Sequence, residues 1–185
     1  MTTRSRFKPF VLVALACLCL PSLAHTRHPT KKPAPPCVLQ PVPIEPEGKE
    51  PAATYAGQTA TLALRFTNEK TAGPVDVFPE PPVRVTHSAA GTTCTIDDGG
   101  IWVRQHVYAD AQGRVLATHE YSGSNDSLNF YDTRSCRKLA TVDVSNTTWR
   151  LGAEDLDIDV QTKAGKQKKR VALTGACLPS RLAAP

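Results

Sequence analysis

From Thr54 onwards, the chain consists of short runs in which apolar and polar residues alternate, separated by Gly, Asn, Asp and Pro. This period-two alternation is typical of β-strands that bury one face. The segments with this pattern are 58–68, 75–78, 83–87, 92–97, 101–108, 114–121, 128–133, 138–144, 156–162 and 170–174. No window of ten or more residues has the apolar stripe of a helix. The pattern therefore predicts an all-β fold of antiparallel sheets.

The distribution of proline sets the predicted limits of this fold. Residues 25–53 contain many prolines, which remove backbone donors and favour extended polyproline conformations, so we predict a Pro-rich leader there. Residues 54–178 are predicted to form a single all-β domain, and residues 179–185 a C-terminal tail. A domain of about 125 residues is large enough for one core.

The N-terminus has the three parts of a secretory signal peptide. Basic residues lie at positions 4–8, the apolar run extends from Phe10 to Leu20, and small residues lead to a cleavage site after Ala24. The run is too short to span a bilayer, so we expect no membrane span in the processed chain. Lipidation at Cys17 is the alternative, but Ala14 stands where that signal needs leucine. Residues 1–24 therefore predict a periplasmic or secreted protein.

Removal of the signal peptide changes the charge balance. The full chain has 22 basic and 17 acidic residues. Residues 1–24 contain three of the basic residues and none of the acidic ones, which leaves 19 against 17. So small an excess of positive charge is not typical of proteins that bind nucleic acids. We expect no nucleic acid partner.

Four cysteines remain after processing: Cys37, Cys94, Cys136 and Cys177. In an exported domain they most simply form two disulfides, and three pairings are possible. Pairing Cys37 with Cys177 would join the two ends of the domain. No two of these cysteines have the C-x-x-C spacing of zinc or redox sites, so we predict a structural role.

One segment of the chain resembles a known repeat. Residues 114–144 are similar to a blade of the YVTN type of β-propeller, with the matching pieces Gly123-Ser124-Asn125, Tyr131-Asp132-Thr133 and Lys138-Leu139-Ala140-Thr141-Val142. The match covers one blade, and the chain is too short for the four or more blades of a complete propeller. The resemblance implies blade-like antiparallel sheets, in an irregular or partial propeller.

The whole chain resembles the periplasmic immunity proteins that neutralise cell-wall amidases delivered by type VI secretion. The resemblance rests on size, export, disulfide-linked β-sheets and a Ser-rich loop. In that family a serine-bearing loop enters the amidase active site. The loop that would correspond here, and the predicted partner-binding site, is Ser122, Gly123, Ser124, Asn125, Asp126 and Ser127. The alternative is a hairpin tip that reverses the direction of the chain and has no binding role.

No arrangement of residues points to an enzyme. The sequence lacks H-E-x-x-H, G-x-S-x-G and phosphate-binding glycine motifs. A register pairing Tyr108 with Val115 would place His106 and His119 on one face of a hairpin. A histidine pair could bind a metal or transfer protons, but no third ligand is evident, so a structural or surface role is favoured. We predict no catalytic residues, no metal and no cofactor.

Two charged segments lie near the C-terminus. Asp155, Asp157 and Asp159 alternate with apolar residues, which is typical of a solvated strand face, with calcium binding or docking of a basic partner as alternatives. Basic residues cluster at 163–170, where we predict a solvated hairpin tip, with contact to an acidic partner as the alternative. The two segments are close enough in sequence to neutralise each other.

These features together predict an exported binding protein of the cell envelope that inhibits a protein partner. The most specific form of this hypothesis is an immunity protein that blocks a peptidoglycan-degrading amidase through residues 122–127. The alternative is a structural or adhesion component of the envelope that has no inhibitory activity. Such a component would use the charged segments, and its binding would not depend on the loop.

Overall fold

The computed structural model describes residues 37–68, 75–79 and 82–180. These residues form fourteen strands and no helix, so the prediction of an all-β fold is confirmed. The strands are β1 (Leu39–Pro41), β2 (Ile44–Pro46), β3 (Thr54–Gln58), β4 (Leu62–Thr67), β5 (Val77–Phe78), β6 (Val83–His87), β7 (Thr92–Ile96), β8 (Ile101–Asp110), β9 (Val115–Ser122), β10 (Asn125–Asp132), β11 (Lys138–Asp143), β12 (Thr147–Leu151), β13 (Asp155–Thr162) and β14 (Gly165–Ala172). The predicted signal peptide lies outside the described residues. Within the described ranges, no helix is long and apolar enough to cross a membrane.

The strands form three antiparallel sheets. A six-stranded sheet has the order β1-β8-β9-β10-β11, with β5 also paired to β8. A five-stranded sheet has the order β2-β3-β4-β6-β7, and a three-stranded sheet the order β12-β13-β14. These three sheets do not close into the ring of a propeller. Residues 114–144 contain the three-stranded antiparallel meander β9-β10-β11.

The six-stranded sheet is the middle layer of the fold because it buries both of its faces. One face, with Leu116 and Tyr131, packs against the five-stranded sheet and forms the first core. The other face, with Ala117 and Phe130, packs against the three-stranded sheet and forms the second core. Successive side chains of a strand point to opposite faces, so β9 and β10 supply both cores at once. This explains why Val115, Leu116, Ala117 and Thr118 are all buried in succession.

The turn between β8 and β9 is organised by Asp110, whose carboxylate is fully buried. It accepts a hydrogen bond from the Val115 amide (2.8 Å) and pairs with Nε of Arg114 (2.9 Å). A buried carboxylate needs such partners to offset its lost hydration. The hairpin predicted from residues 101–121 is therefore present, with its turn fixed by a side chain.

The two disulfides connect parts of the fold that are far apart in sequence. Cys37 is bonded to Cys177, which encloses nearly the whole described chain with a sequence separation of 140 residues. Cys94 in β7 is bonded to Cys136, between β10 and β11, and so joins the five-stranded sheet to the six-stranded sheet. The prediction of two structural disulfides is confirmed, and one of the three possible pairings is selected.

The N-terminal limit of the folded part differs from the prediction. Residues 37–53, assigned to the Pro-rich leader, contribute β1 and β2, and Leu39, Val42 and Ile44 are buried in the cores. Both strands lie at sheet edges, where a strand can contain proline without losing an inward-facing hydrogen bond. Proline content therefore suggested a leader where the chain forms edge strands.

Three further element predictions need correction. The predicted strand 58–68 begins too early, because Gln58 is the last residue of β3 and the strand within this segment is β4, which starts at Leu62. Strand β12 was missed, since Thr147–Leu151 contains two threonines, a tryptophan and an arginine with only one fully buried residue. The basic residues 166–170 lie within β14 and pair with β13, so they do not form a hairpin tip.

Candidate functional site

The predicted loop 122–127 is a tight hairpin tip. Ser122 pairs with Asn125 in the ladder of β9 and β10, so only Gly123 and Ser124 form the turn. Residues 122–125 are all exposed, whereas Asp126 and Ser127 are half-buried. The structure therefore narrows the six-residue loop to a two-residue tip on paired strands. The hydroxyl-bearing residues Ser122 and Ser124 are the exposed serines of this tip.

The turn depends on Gly123. Its φ angle is +61°, and Ser124 does not have a positive φ, which is the pattern of a type II′ turn with glycine at the first central position. This turn matches the twist of the flanking strands, so the two strands stay paired up to the tip. The result is a narrow projection whose end carries small polar side chains.

The base of the hairpin is tied to the turn that follows β11. The Asp126 amide donates a hydrogen bond to Oγ of Ser145 (2.8 Å), and the Asp126 carbonyl accepts one from the Val144 amide (2.9 Å). The Asp126 carboxylate also contacts Nε2 of His119 at 3.0 Å. Both the backbone and the side chain of Asp126 are therefore held, two residues from Ser124.

The two histidines lie together beneath this hairpin, as the sequence suggested, but in a different register. Tyr108 pairs with Ala117, and this register, continued by two residues, would place His106 opposite His119; the register of β8 against β9 shifts only beyond Val107, towards Trp102. Nδ1 of His106 lies 3.2 Å from Nδ1 of His119. The conditional pairing of Tyr108 with Val115 was therefore wrong by two residues, because a shift of two residues leaves the alternation of a strand unchanged.

An aromatic side chain from the three-stranded sheet covers the histidine pair. The ring of Trp149 in β12 meets both imidazoles edge to face, with centroid distances of 4.9 Å to His106 and 5.0 Å to His119. Burial and the neighbouring His119 lower the pKa of His106 below its usual value. The pair therefore favours a neutral imidazole at His106.

A buried carboxylate on the opposite face of β9 was not predicted as part of this region. Glu120 is 2% exposed and accepts hydrogen bonds from Oγ1 of Thr118 (2.6 Å), the hydroxyl of Tyr131 (2.8 Å) and the amide of Gly100 (3.0 Å). Burial, together with Glu120, raises the pKa of Tyr131, so its hydroxyl stays protonated and donates. In the sequence, the sign of this buried network is that Glu120, an acidic residue, occupies a position of β9 that faces the first core. This network stiffens the strands that carry the tip.

The acidic and basic segments of the three-stranded sheet neutralise each other. Asp157 lies between Arg170 (2.7 Å) and Arg150 (2.9 Å), and Asp159 pairs with Lys166 (2.8 Å). Hydrogen bonds from Arg170 and Arg150 lower the pKa of Asp157 to about 2. The three aspartates share one exposed face, as predicted. Their partners are arginine and lysine side chains of the same sheet.

Within residues 37–68, 75–79 and 82–180, no group of three or more His, Cys, Asp or Glu residues is arranged to hold a metal ion. The histidine pair has Asp126 as its third polar neighbour, but this carboxylate contacts the far nitrogen of His119. The three groups thus form a line, and their arrangement suits hydrogen bonding.

Comparison of the sequence with known proteins identifies its family. Residues 37–172 match the family model described as Immune protein Tsi1. The chain belongs to the Tsi1 family of immune proteins. An Immune protein Tsi1 from Pseudomonas aeruginosa is 33% identical to it over 121 residues, which are 65% of this chain and 70% of that relative. The prediction of an immunity protein is thereby confirmed, and with it a role as an inhibitor of a protein partner and not as an enzyme.

The region matched to the Tsi1 family includes the elements described above. It begins at Cys37 and ends at Ala172, the last residue of β14. It therefore includes β1 and β2, which the sequence analysis had placed outside the domain. It also contains the hairpin tip, the histidine pair and Trp149. The family assignment thus applies to the part of the chain that forms the three sheets.

Proposed function

We propose that this Tsi1-family protein is an exported immunity protein that inhibits a peptidoglycan-degrading amidase by inserting the tip of the β9–β10 hairpin into the active-site cleft. Family membership is the observation that carries the proposal, since it assigns the chain to immunity proteins. The two disulfides are compatible with a periplasmic location, because such bonds persist in oxidising compartments.

The shape and chemistry of the tip support its role as the inhibitory element. Gly123 and Ser124 form a two-residue turn that is narrow enough to enter a cleft, and the exposed hydroxyls of Ser122 and Ser124 can hydrogen-bond a catalytic cysteine or histidine. A serine side chain has no carbonyl carbon that a catalytic cysteine could attack. Because the flanking strands are already ordered, little conformational entropy is lost on binding.

The test begins with the full-length chain, produced in a bacterial host with oxidised disulfides and a C-terminal tag. Envelope and secreted fractions of the source bacterium are passed over it, and a recovered amidase is assayed for amide hydrolysis on purified peptidoglycan. We expect stoichiometric inhibition. Binding to wall polymers without inhibition of any hydrolase would contradict the proposal and favour a structural component.

The contact is located with a pair of matched variants. Ser124→Arg places a long side chain at the end of the tip, where a clash within a cleft should abolish inhibition. Ala164→Arg places the same side chain in the turn between Thr162 and Gly165, the corresponding tip of the β13–β14 hairpin. We expect Ala164→Arg to inhibit as the parent does. Equal inhibition by both variants would place the inhibitory surface elsewhere on the protein.

A further inference from the structure

Two arginines lie directly opposite each other on the outer face of the five-stranded sheet. Arg65 of β4 pairs with Arg84 of β6 in the antiparallel ladder, and both residues are exposed. Directly opposite residues have Cβ atoms about 5 Å apart, and like charges in that position destabilise a sheet. The arginine pair therefore costs stability, which sets it apart from charges that hold a sheet together.

Among residues 37–68, 75–79 and 82–180, one carboxylate contacts this pair. Glu47 lies 2.9 Å from Nε of Arg65, and the two side chains are 40% and 55% exposed. Arg84 forms no ion pair and no side-chain hydrogen bond with another residue in the described ranges. Two guanidinium groups thus share one carboxylate of the described chain, and one positive charge is left unbalanced.

The outer face of the three-stranded sheet shows the opposite arrangement of surface charges. There, Asp157 stands between Arg150 and Arg170 in the ladder, so each arginine is opposite a carboxylate. On the five-stranded sheet, the cross-strand row runs from Ala56 through both arginines to Thr95, and it contains no acidic residue between them. The unbalanced positive charge is therefore particular to the outer face of the five-stranded sheet.

A recess of ≈ 350 Å³ opens beside the arginine pair. Its described lining consists of both arginines, Pro82 and the three threonines Thr54, Thr67 and Thr95, and none of these residues is acidic. The threonine hydroxyls can donate or accept hydrogen bonds. The guanidinium groups supply N–H donors in a planar fork that matches the two oxygens of a carboxylate. These groups are complementary to an anion that has hydroxyl or amide groups beside it.

The charge and the extent of the face indicate which kind of anion it accepts. The two arginines and Glu47 together carry one net positive charge, which matches a monoanionic carboxylate better than a dianionic phosphate. A second recess, of ≈ 370 Å³, also borders the pair, so the polar surface continues across the sheet.

The side chains that line these two recesses favour a polar polymer over a protein partner. The exposed and half-exposed ones are those of Thr, Ala, Gln, Glu, Pro and Arg. Protein interfaces are instead built around buried aromatic or large aliphatic anchors, and the described lining exposes none. An open face of this kind is complementary to a chain rich in hydroxyl and amide groups that also carries carboxylates.

We propose that the outer face of the five-stranded sheet binds peptidoglycan, with a free carboxylate of its stem peptides held between Arg65 and Arg84. Peptidoglycan has the required chemistry, because its glycan chains and stem peptides place hydroxyl and amide groups next to free carboxylates. The guanidinium groups hold the carboxylate through charge-assisted hydrogen bonds. This face belongs to a different sheet from the hairpin tip, so the site does not depend on the proposed inhibition. It would retain the protein at the polymer on which a wall hydrolase acts.

Co-sedimentation with purified, protein-free peptidoglycan sacculi tests the site. The full-length, oxidised chain is mixed with increasing amounts of sacculi at low salt, and the bound fraction gives an apparent dissociation constant. We expect binding that is lost when the carboxylates of the sacculi are converted into amides. A chain that stays in solution, or that binds amidated sacculi equally well, would overturn the proposal.

Three glutamine variants test whether the arginine pair carries the binding. Arg84→Gln should weaken binding roughly tenfold, which is the effect of losing a hydrogen bond to a charged group. Glu47→Gln releases Arg65 from its carboxylate and should strengthen binding. The matched control is Arg150→Gln, which removes an equal charge from the three-stranded sheet and should bind as the parent does. Equal weakening by Arg84→Gln and Arg150→Gln, or no gain in Glu47→Gln, would refute the site.

Two further measurements separate this site from folding and from the hairpin tip. Arg84→Gln relieves a like-charge contact, so the midpoint of its urea denaturation should equal or exceed that of the parent, and a lower midpoint would contradict the argument. Ser124→Arg should bind sacculi as the parent does, and Arg84→Gln should inhibit the recovered amidase as the parent does. If Arg84→Gln loses inhibition and the parent does not bind sacculi, the face contacts a protein partner and the peptidoglycan site is refuted.

Discussion

Two hairpins of this protein have turns of the same length but differ in the packing and polar contacts that hold them in place. The β9–β10 hairpin turns at Gly123–Ser124 and the β13–β14 hairpin at Lys163–Ala164, each closed by one paired residue on either side. The first lies on the middle sheet, with cores on both faces. The second lies on a three-stranded sheet, one face of which carries exposed ion pairs.

The polar contacts also hold the first hairpin more firmly than the second. Asp126 is held by Ser145 and His119, and Glu120 binds three donors on the opposite face. At the second hairpin, Oγ1 of Thr162 donates to the Gly165 carbonyl at 2.7 Å, and Lys166 pairs with Asp159 at the surface. Exposed ion pairs add little to stability, whereas buried networks fix geometry. The proposed inhibitory tip therefore lies on the more firmly held of the two hairpins.

The largest difference between the two hairpins is expected in the free energy of unfolding that is lost when an apolar side chain is truncated. Leu128 of β10 is fully buried in the second core, and its replacement by alanine should lower the free energy of unfolding by about 2–5 kcal/mol. Val160 of β13 is half-buried, and Val160→Ala should cost about 1 kcal/mol. Urea denaturation of the oxidised chain measures both. Equal losses would mean that the two hairpins are embedded to the same degree.

A smaller effect is expected from the hydroxyl groups that brace the hairpins. Ser145→Ala removes the acceptor of the Asp126 amide and should cost about 1 kcal/mol, with faster hydrogen exchange at Asp126. Thr162→Ala removes a hydroxyl from the second hairpin and should cost about 0.5 kcal/mol or less, because that turn is open to water. If Thr162→Ala proves the more damaging, the second hairpin is the better supported of the two.

The histidine pair packed beside the first hairpin and the ion pairs of the second should also respond to acid in different pH ranges. The pKa of His106 is lowered in the folded state, so the unfolded chain takes up a proton first, near pH 6.5, and stability falls as the pH drops below that value. The pKa of Asp157 is lowered to about 2, so its contribution is present above its unfolded value near 3.8 and is lost only as the pH falls towards 2.

Urea denaturation at a series of pH values tests this order. The fall in stability just below pH 6.5 should be smaller in His106→Gln than in the parent chain, and the fall below pH 4 should be smaller in Asp157→Asn. A parent chain whose stability is constant between pH 7 and pH 5 would contradict the first part. A loss of the Asp157 contribution already at pH 5 would contradict the second.

The smallest effect is expected at the exposed ion pairs. Lys166→Gln removes the partner of Asp159, and since the lysine side chain is 57% exposed the cost should be about 0.5 kcal/mol or less. The same urea experiment in 0.5 M salt should reduce the difference further, because salt screens surface charges. A loss comparable with that of Ser145→Ala would show that these pairs act as a network.

Much of the fold was predictable because period-two alternation survives wherever one face of a strand is buried. β6, β8, β9, β10 and β13 begin and end close to the predicted positions, and the pattern also placed the tip at residues 122–127. Four cysteines in a chain with a predicted signal peptide indicated two disulfides, although their pairing depends on the folded geometry.

The other parts of the fold and of the candidate site depend on contacts between residues that a sequence pattern does not reveal. Pro41, Pro43 and Pro46 suggested a leader, but edge strands accept proline because one side of such a strand needs no donor. The contact of His106 with His119 depends on the register that pairs Tyr108 with Ala117, and Trp149 reaches the pair from a strand that was not predicted. The line of contacts to Asp126 was therefore visible only in three dimensions.

The Cys37–Cys177 bond has a mechanical consequence. The two Cα atoms lie 5.0 Å apart, so tension applied between the ends of the folded region passes through the sulfur atoms and leaves the three sheets unloaded. Reduction would return the load to the sheets, and the released chain of 140 residues could lengthen by about 480 Å. While this disulfide is intact, tension applied at Cys37 and Cys177 therefore does not extend the folded region.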